Sequence, residues 1–322
     1  MKGPDLLARI GRARFPLGAP TWPDSIERPA PKRRTGLDFD NEWSRRYPVR
    51  LLRAMVIDNV ARPLAAAAIP TTSIGLEELR THKGPFIFAA NHASHVDTPL
   101  LLTALPVEFR HRTVVAAASD FFFDRTWKAA IWSFALGAIP IDRSRVNRRS
   151  ADAAAELLED DWNLIIFPEG GRSPDGWTHP FRGGAAYLSR RTGAPVVPVY
   201  IDGTRNVLGK SPTRPGRPPG GSGTEDRRGG AFRRSPVTIL FGRPLSPAEG
   251  EDARRFGARI ESSVALLGHE AASDWWTARR QQAEGTAPDP AGPVAAPWRR
   301  SWALGPGPGQ ALGGGAKPWP PR

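Results

Sequence analysis

Short apolar runs alternate with segments of helical periodicity between residues 86 and 201, and this alternation is the strongest constraint on the fold. Each run is short enough for a buried strand and is bounded by polar, Gly or Pro residues. Such alternation predicts an α/β domain in which a mixed, largely parallel central sheet is flanked by helices. The predicted strands are 86–90, 113–118, 138–141, 164–167, 195–201 and, after a break, 236–242.

Local capping signals set the expected helix ends. One helix is expected to begin with Thr98 as N-cap and Pro99 in its first turn. The capping box Ser246-Pro247-Ala248-Glu249 predicts a later helix that runs to Leu267, with Gly268 just past its end. Further helices are predicted at 121–136, 151–159 and 185–191.

Residues 48–69 have the pattern of a helix that is broken at Pro63. Its apolar side chains share one face, and arginines interrupt or flank that face. Two interpretations remain open from the pattern. The segment is either an interfacial helix that lies on lipid or a core helix with a solvated rim.

Composition divides the chain into four parts. Residues 1–42 are rich in Arg and Pro and predict a disordered basic arm, and 43–74 form the amphipathic helical segment. The expected folded domain covers 75–270 and contains a flexible basic loop at 210–234. Residues 283–322 are rich in Pro and Gly and predict a disordered tail.

Overall composition also narrows the chemistry. The chain has no Cys, which excludes disulfides, Cys nucleophiles and thiolate metal sites. No apolar run approaches the roughly 18 residues of a membrane span. The formal net charge of +13 favours a phosphate-bearing partner, whether nucleic acid, anionic lipid or a phosphorylated substrate.

A polar turn follows the predicted strand 86–90 and contains the first candidate site. His92 can act as a base, and Asp97 can hold its other nitrogen and stabilise the imidazolium that forms. Three other readings compete. Asp97 could cap the next helix, His92 could be structural, or both could bind a metal together with His95.

Two further segments carry residues suited to phosphate. Arg143 follows a short predicted strand, where its guanidinium can bind phosphate or simply pair with a neighbouring carboxylate. The heptad 167–173 reads Phe-Pro-Glu-Gly-Gly-Arg-Ser, and its glycines allow a ligand to approach the backbone closely. Within it, Arg172 suits a phosphate and Glu169 can accept a hydrogen bond or hold an Arg. The competing reading is an ordinary turn with solvated charges.

These segments, in this order, resemble the PlsC-type glycerolipid acyltransferases, the 1-acylglycerol-3-phosphate acyltransferases. The family's Asn-His-x4-Asp block is matched by Asn91, His92 and Asp97, its Ile-Asp-Arg block by 141–143, its Phe-Pro-Glu-Gly-x-Arg-Ser block by 167–173, and its Val-Pro-Val block by 197–199. The resemblance covers roughly residues 75–205. The chain departs from the family at Gly171, where Thr is usual.

The resemblance implies transfer of a fatty acyl group from acyl-CoA or acyl carrier protein to the hydroxyl of lysophosphatidic acid, in phospholipid biosynthesis. It implies that His92 is the base, that Asp97 orients it, and that neither a metal nor a cofactor takes part. The substrate-binding residues that it implies are Arg143, Glu169, Gly170, Gly171, Arg172 and Ser173.

The implied partners are an acyl thioester donor, a phosphorylated lipid acceptor and an anionic membrane surface, with the protein held peripherally on the cytoplasmic face of the cell membrane. No nucleic acid is expected, because the Arg-rich segments contain no recognition module. Two alternatives remain. The acceptor could be glycerol 3-phosphate, another lysophospholipid or a glycolipid, or the chain could be a non-catalytic lipid-binding protein of the membrane surface.

Overall fold

Seven strands form one sheet in the computed structural model, which describes residues 36–82, 84–142, 148–173, 177–208 and 235–289. The strands are β1 (Thr71–Ile74), β2 (Ile87–Ala90), β3 (Thr113–Ala118), β4 (Ala138–Ile141), β5 (Asn163–Ile166), β6 (Val196–Asp202) and β7 (Val237–Phe241). Their order across the sheet is β1-β7-β6-β2-β5-β3-β4. The expected α/β fold with a mixed sheet is therefore confirmed.

All strand pairs in this sheet are parallel except β6 with β7. The antiparallel pair runs from Val199 opposite Phe241 to Asp202 opposite Thr238. Strand β2 lies between β5 and β6, and all its residues are buried, as expected of a central strand that is covered on both faces. The carboxyl ends of β2, β5 and β6 consequently meet at one edge of the sheet.

Helices cover both faces of the sheet. They are α1 (Tyr47–Val56), α2 (Arg62–Ala68), α3 (Asp97–Ala104), α4 (Val107–Arg110), α5 (Ser119–Phe122), α6 (Thr126–Leu136), α7 (Arg148–Glu159), α8 (Gly184–Thr192), α9 (Thr204–Leu208), α10 (Ala253–Ala272) and α11 (Trp275–Glu284). Three 3₁₀ turns are Gly36–Asp38, Glu42–Arg45 and Leu76–Thr81. No helix among the described residues is long and apolar enough to cross a bilayer.

Two apolar clusters hold these helices to the sheet. On one face, Leu100 and Leu101 of α3 pack with Phe88 of β2 and with Ile57, which precedes α2. On the other face, α7, α8 and α10 bury apolar side chains against strands that include β2, β5 and β6. Burial of a side chain such as Phe256, which is fully buried on α10, contributes about 1.5–3 kcal/mol.

The sequence predicts that the N-terminal helix breaks at Pro63, but the structure shows no break there. A π-helical segment, Ile57–Ala61, joins α1 to α2, and the Arg62 N–H donates to the Ile57 carbonyl five residues back. This wider turn lies where the proline ring would otherwise collide with the preceding carbonyls. The helical direction therefore continues through Pro63 into α2.

Other predicted helices differ from the observed ones. The predicted helix 121–136 is split into α5 and α6. The helix expected from the capping box at 246–249 instead begins at Ala253, because the Asp252 side chain accepts from the Arg255 N–H at 2.8 Å. That helix also continues past Gly268 to Ala272.

Several elements lie outside the predicted ones. Strand β1 falls in the segment that was predicted to be helical, and α11 extends to Glu284. Residues 36–42, assigned to the arm from sequence, contact the domain through Gly36 N–H donating to Phe123 O at 2.8 Å. Asn41 likewise donates its amide to Ala138 O at 2.9 Å. Residues 1–35, the whole 210–234 loop and the tail from 290 lie outside the described residues.

Two glycines of α10 provide a matched test of how this helix packs. A Cβ on Gly268 would lie 2.8 Å from Cε2 of Tyr200, whereas one on Gly257 would meet only the Ala186 Cβ at 3.8 Å. We expect Gly268→Ala to lower the free energy of unfolding by about 1–3 kcal/mol through overpacking. We expect Gly257→Ala to raise it by about 0.5–1 kcal/mol through helix propensity.

Urea denaturation of the two variants measures this difference. A Gly268→Ala protein as stable as the Gly257→Ala protein would contradict the close packing of α10 against Tyr200.

Candidate functional site

The candidate site begins where β2 ends, at Asn91. The Asn91 amide donates to Ile201 O at 3.0 Å, and its oxygen accepts from Ile201 N–H at 2.7 Å. The side chain is buried, and it bonds to both backbone groups of Ile201 near the end of β6, as a neighbouring strand would. Asn91 is therefore a structural anchor that fixes where the following turn leaves the sheet.

Asp97 is the centre of that turn. Its Oδ2 accepts from the N–H groups of Ala93 and Ser94, each at 2.7 Å, and lies 2.8 Å from Nδ1 of His92. The side chain is completely buried. Helix α3 begins at Asp97 itself, two residues before the predicted start at Pro99, because the carboxylate closes the turn before the helix. A negative charge in a first helical turn is also favoured by the helix dipole.

The contact with Asp97 determines the tautomer of His92. An ionised carboxylate can only accept, so Nδ1 donates and, in the neutral imidazole, Nε2 holds the lone pair. Within the described part of the chain, Nε2 has no hydrogen-bond partner, and the side chain is 18% exposed. The Phe167 ring stacks on the imidazole at 4.2 Å between centroids. The site thus presents a held imidazole with one reachable nitrogen, an arrangement that can remove a proton from a hydroxyl.

The loop after β5 holds the backbone of His92 from both sides. Glu169 Oε1 accepts from His92 N–H at 2.9 Å, and its Oε2 accepts from His179 N–H at 3.0 Å. Ser173 N–H donates to His92 O at 2.8 Å. Glu169 and Ser173, which the resemblance placed in the substrate-binding set, thus also brace the base. The structure therefore brings the two motifs together.

The two predicted glycines of this loop differ in their surroundings. Gly170 has a φ of 72°, and a Cβ there would lie 2.6 Å from Nε of Arg182. Gly171 has no atom within 4 Å of an added Cβ. Only Gly170 therefore requires glycine, which explains why position 171 can differ from the Thr that is usual in the family.

The structure describes one of the two arginines that were predicted to bind phosphate. Arg172 is half-buried and directly precedes Ser173, the residue that bonds to His92. Arg143 lies outside the described residues. Tyr200, beneath the same edge, is not a candidate base: burial raises the pKa of its phenol, and the charges of Asp202 and Glu169 raise it further.

The metal interpretation of the turn does not fit its geometry. His95 stacks on Phe121 at 6.1 Å between ring centroids, whereas His92 bonds to Asp97. Asp97 Oδ2 is already engaged by the two N–H groups and the imidazole. No group of three or more His, Cys, Asp or Glu side chains in the described ranges could hold a metal ion.

Sequence reasoning missed two residues of this site, Phe167 and Arg182. Phe167 belongs to the predicted heptad, but its contact with His92 depends on β2 and β5 being neighbours. Arg182 has no signal in the predicted motifs, and its position follows from its backbone, whose N–H donates to Pro168 O at 2.8 Å.

Comparisons with known proteins agree with this geometry. Residues 71–202 match the family model described as Acyltransferase. The chain is 30% identical over 141 residues to a 1-acyl-sn-glycerol-3-phosphate acyltransferase of Brassica napus, which covers 42% of this chain and 38% of that protein. It is 29% identical over 139 residues to the 1-acyl-sn-glycerol-3-phosphate acyltransferase alpha of Mus musculus. That alignment covers 41% of this chain and 47% of the mouse protein. The match thus spans less than half the length of these curated relatives.

A solved structure shares the fold. The crystal structure of the 1-acyl-sn-glycerophosphate (LPA) acyltransferase PlsC from Thermotoga maritima aligns with a TM-score of 0.50 and 22% sequence identity. The alignment covers 73% of this chain and 84% of that one. At this identity the likeness concerns the fold.

The two loop glycines provide a direct test of the turn beside His92. We expect Gly170→Ala to lower the free energy of unfolding by about 1–3 kcal/mol, because an L-residue is strained at its positive φ and its Cβ displaces Arg182. Gly171→Ala is the control and is expected to stay within about 0.5 kcal/mol of the parent. Equal stability of the two variants in urea denaturation would contradict the described turn.

Proposed function

We propose that this chain, whose residues 71–202 form a domain of the acyltransferase family, transfers a fatty acyl group from an acyl thioester to the hydroxyl of lysophosphatidic acid. The observation that carries the proposal is the bond between His92 Nδ1 and Asp97, which leaves Nε2 open as a base. The names of the relatives support lysophosphatidic acid as the acceptor. The thioester is carried by CoA or by acyl carrier protein.

The proposed reaction needs no covalent enzyme intermediate. His92 Nε2 takes the proton of the acceptor hydroxyl while the oxygen attacks the thioester carbonyl, forming a C–O bond and a tetrahedral intermediate. The C–S bond then breaks, and the departing sulfur takes the proton back from the imidazolium. Asp97 stabilises the imidazolium between these steps. Positioned base catalysis contributes about 10²- to 10⁴-fold, and alignment of the two substrates contributes further.

The surface of α1 and α2 supports the second part of the proposal, peripheral binding to an anionic membrane on its cytoplasmic face. Large apolar side chains are 40–64% exposed along this helix. They are Leu51, Leu52, Met55, Val56, Val60 and Leu64. Arg46, Arg50 and Arg62 belong to the same segment, and each basic residue near an anionic leaflet contributes about 1 kcal/mol. The helix would lie in the interface with its apolar face toward the acyl chains.

Substitution of the base tests the reaction. His92→Ala is expected to lower kcat by about 10²- to 10⁴-fold, because the hydroxyl proton loses its acceptor. The assay is release of free CoA from a long-chain acyl-CoA in the presence of lysophosphatidic acid. His95→Ala is the matched control, since its ring stacks on Phe121, whereas the His92 ring bonds to Asp97. Full activity of His92→Ala, or equal losses in the two variants, would reject the assignment.

The membrane proposal is tested by charge on the apolar face. The double variant Leu52→Glu/Met55→Glu is expected to lose at least about tenfold in binding to anionic liposomes, because two exposed apolar side chains that would enter the membrane interface become charged. Tyr187→Glu on α8 is the control, since it adds a negative charge at an exposed apolar residue on the other face of the sheet. Co-sedimentation measures the partition, and unchanged binding of the double variant would contradict the proposal.

A further inference from the structure

Arg182 lies against the loop after β5 that contacts His92, although its sequence position is nine residues past the predicted heptad. An ideal Cβ on Gly170 would stand 2.6 Å from Arg182 Nε and 2.8 Å from Cζ. The guanidinium therefore occupies the space that a side chain at position 170 would fill. We propose that Arg182 is an anion-binding residue of the acceptor site that holds the acceptor's phosphate. This inference rests on the proposed function and deepens it.

The backbone fixes Arg182 in this place. Its N–H donates to Pro168 O at 2.8 Å, and Gly170 N–H closes the turn onto Phe167 O at 3.1 Å. Immediately after Arg182, Gly183 precedes the first residue of α8. The residue is thus anchored between a closed turn and the start of a packed helix. Its side chain reaches solvent.

The same turn contacts the base. Phe167 stacks on the His92 ring, and Glu169 accepts from the His92 N–H, so the residues on either side of Pro168 both touch His92. Gly170 follows directly, with Arg182 lying on it. Arg182 therefore contacts the same loop that contacts His92. An acceptor bound through its phosphate at Arg182 would have its glycerol hydroxyls near His92.

Charge balance at the site calls for this cation. Asp97 and Glu169 are buried carboxylates next to the base, and a phosphomonoester brings up to two further negative charges. The phosphate would be repelled by these carboxylates unless positive charges nearby exceed the negative ones. Arg172 supplies one cation on the same loop, and Arg182 supplies another. Arg presents five donors in a planar fork, so it can keep a protein partner and still bind phosphate oxygens.

The test compares acceptors with and without phosphate. Arg182→Met is expected to raise KM for lysophosphatidic acid by about 10- to 100-fold, as loss of a charge-assisted hydrogen bond predicts. KM for acyl-CoA, and for a monoacylglycerol acceptor without phosphate, is expected to stay the same. Arg182→Lys should recover part of the loss, because it keeps the charge without the fork. Arg190→Met on α8 is the control for loss of a positive charge.

Binding separates this inference from the proposed function. A short-chain 1-acylglycerol 3-phosphate is titrated calorimetrically into His92→Ala protein and into the His92→Ala/Arg182→Met double variant. Binding that weakens by about 10- to 100-fold in the double variant supports the inference, even if the parent protein transfers no acyl group. Equal binding by the two proteins, or no binding by either, overturns it. Absence of transfer by the parent protein with every acceptor rejects the proposed function alone.

Discussion

The buried carboxylate of Asp97 is the interaction on which the rest of the site depends. A charge that is completely removed from water is costly unless hydrogen bonds compensate it. Here one carboxylate oxygen accepts hydrogen bonds from two backbone N–H groups and from the imidazole of His92. Those bonds hold the turn between β2 and α3, lie at the start of the helix and orient the imidazole of His92, the proposed base. A single residue therefore couples the stability of the turn to the chemistry proposed for it.

Residues that follow β2 and the neighbouring strand β5 also hold the turn in place. Asn91 ties the end of β2 to β6, while Glu169 and Ser173, from the loop after β5, hold the N–H and carbonyl of His92. The base is thus fixed by its side chain and by its backbone. This arrangement requires parallel neighbours whose carboxyl ends meet at one edge, which is where α/β sheets place their ligands. A base held in this way loses little entropy on reaching a reactive geometry.

Sequence reasoning succeeded where the signal was local. Strand 113–118 was predicted with its observed bounds because a buried apolar run ends sharply at polar neighbours, and the pairing of His92 with Asp97 follows from their spacing within one turn. Strand β1 was missed because its residues are mostly exposed at the sheet edge and have little apolar pattern. The capping box at 246–249 failed because Leu245 pairs with Val196, and Asp252 caps the helix instead. Contacts across strands, such as Phe167 on His92, have no local signature.

The proposed chemistry requires that Asp97 keep the proton on Nδ1 of His92 and leave Nε2 free to act as a base. Nitrogen NMR of the ¹⁵N-histidine-labelled full chain, assigned with the His92→Ala variant, measures the tautomer directly. In the neutral imidazole we expect a protonated Nδ1 and an unprotonated Nε2, with this preference lost in Asp97→Asn. A His92 that carries its proton on Nε2 in the parent protein would contradict this assignment.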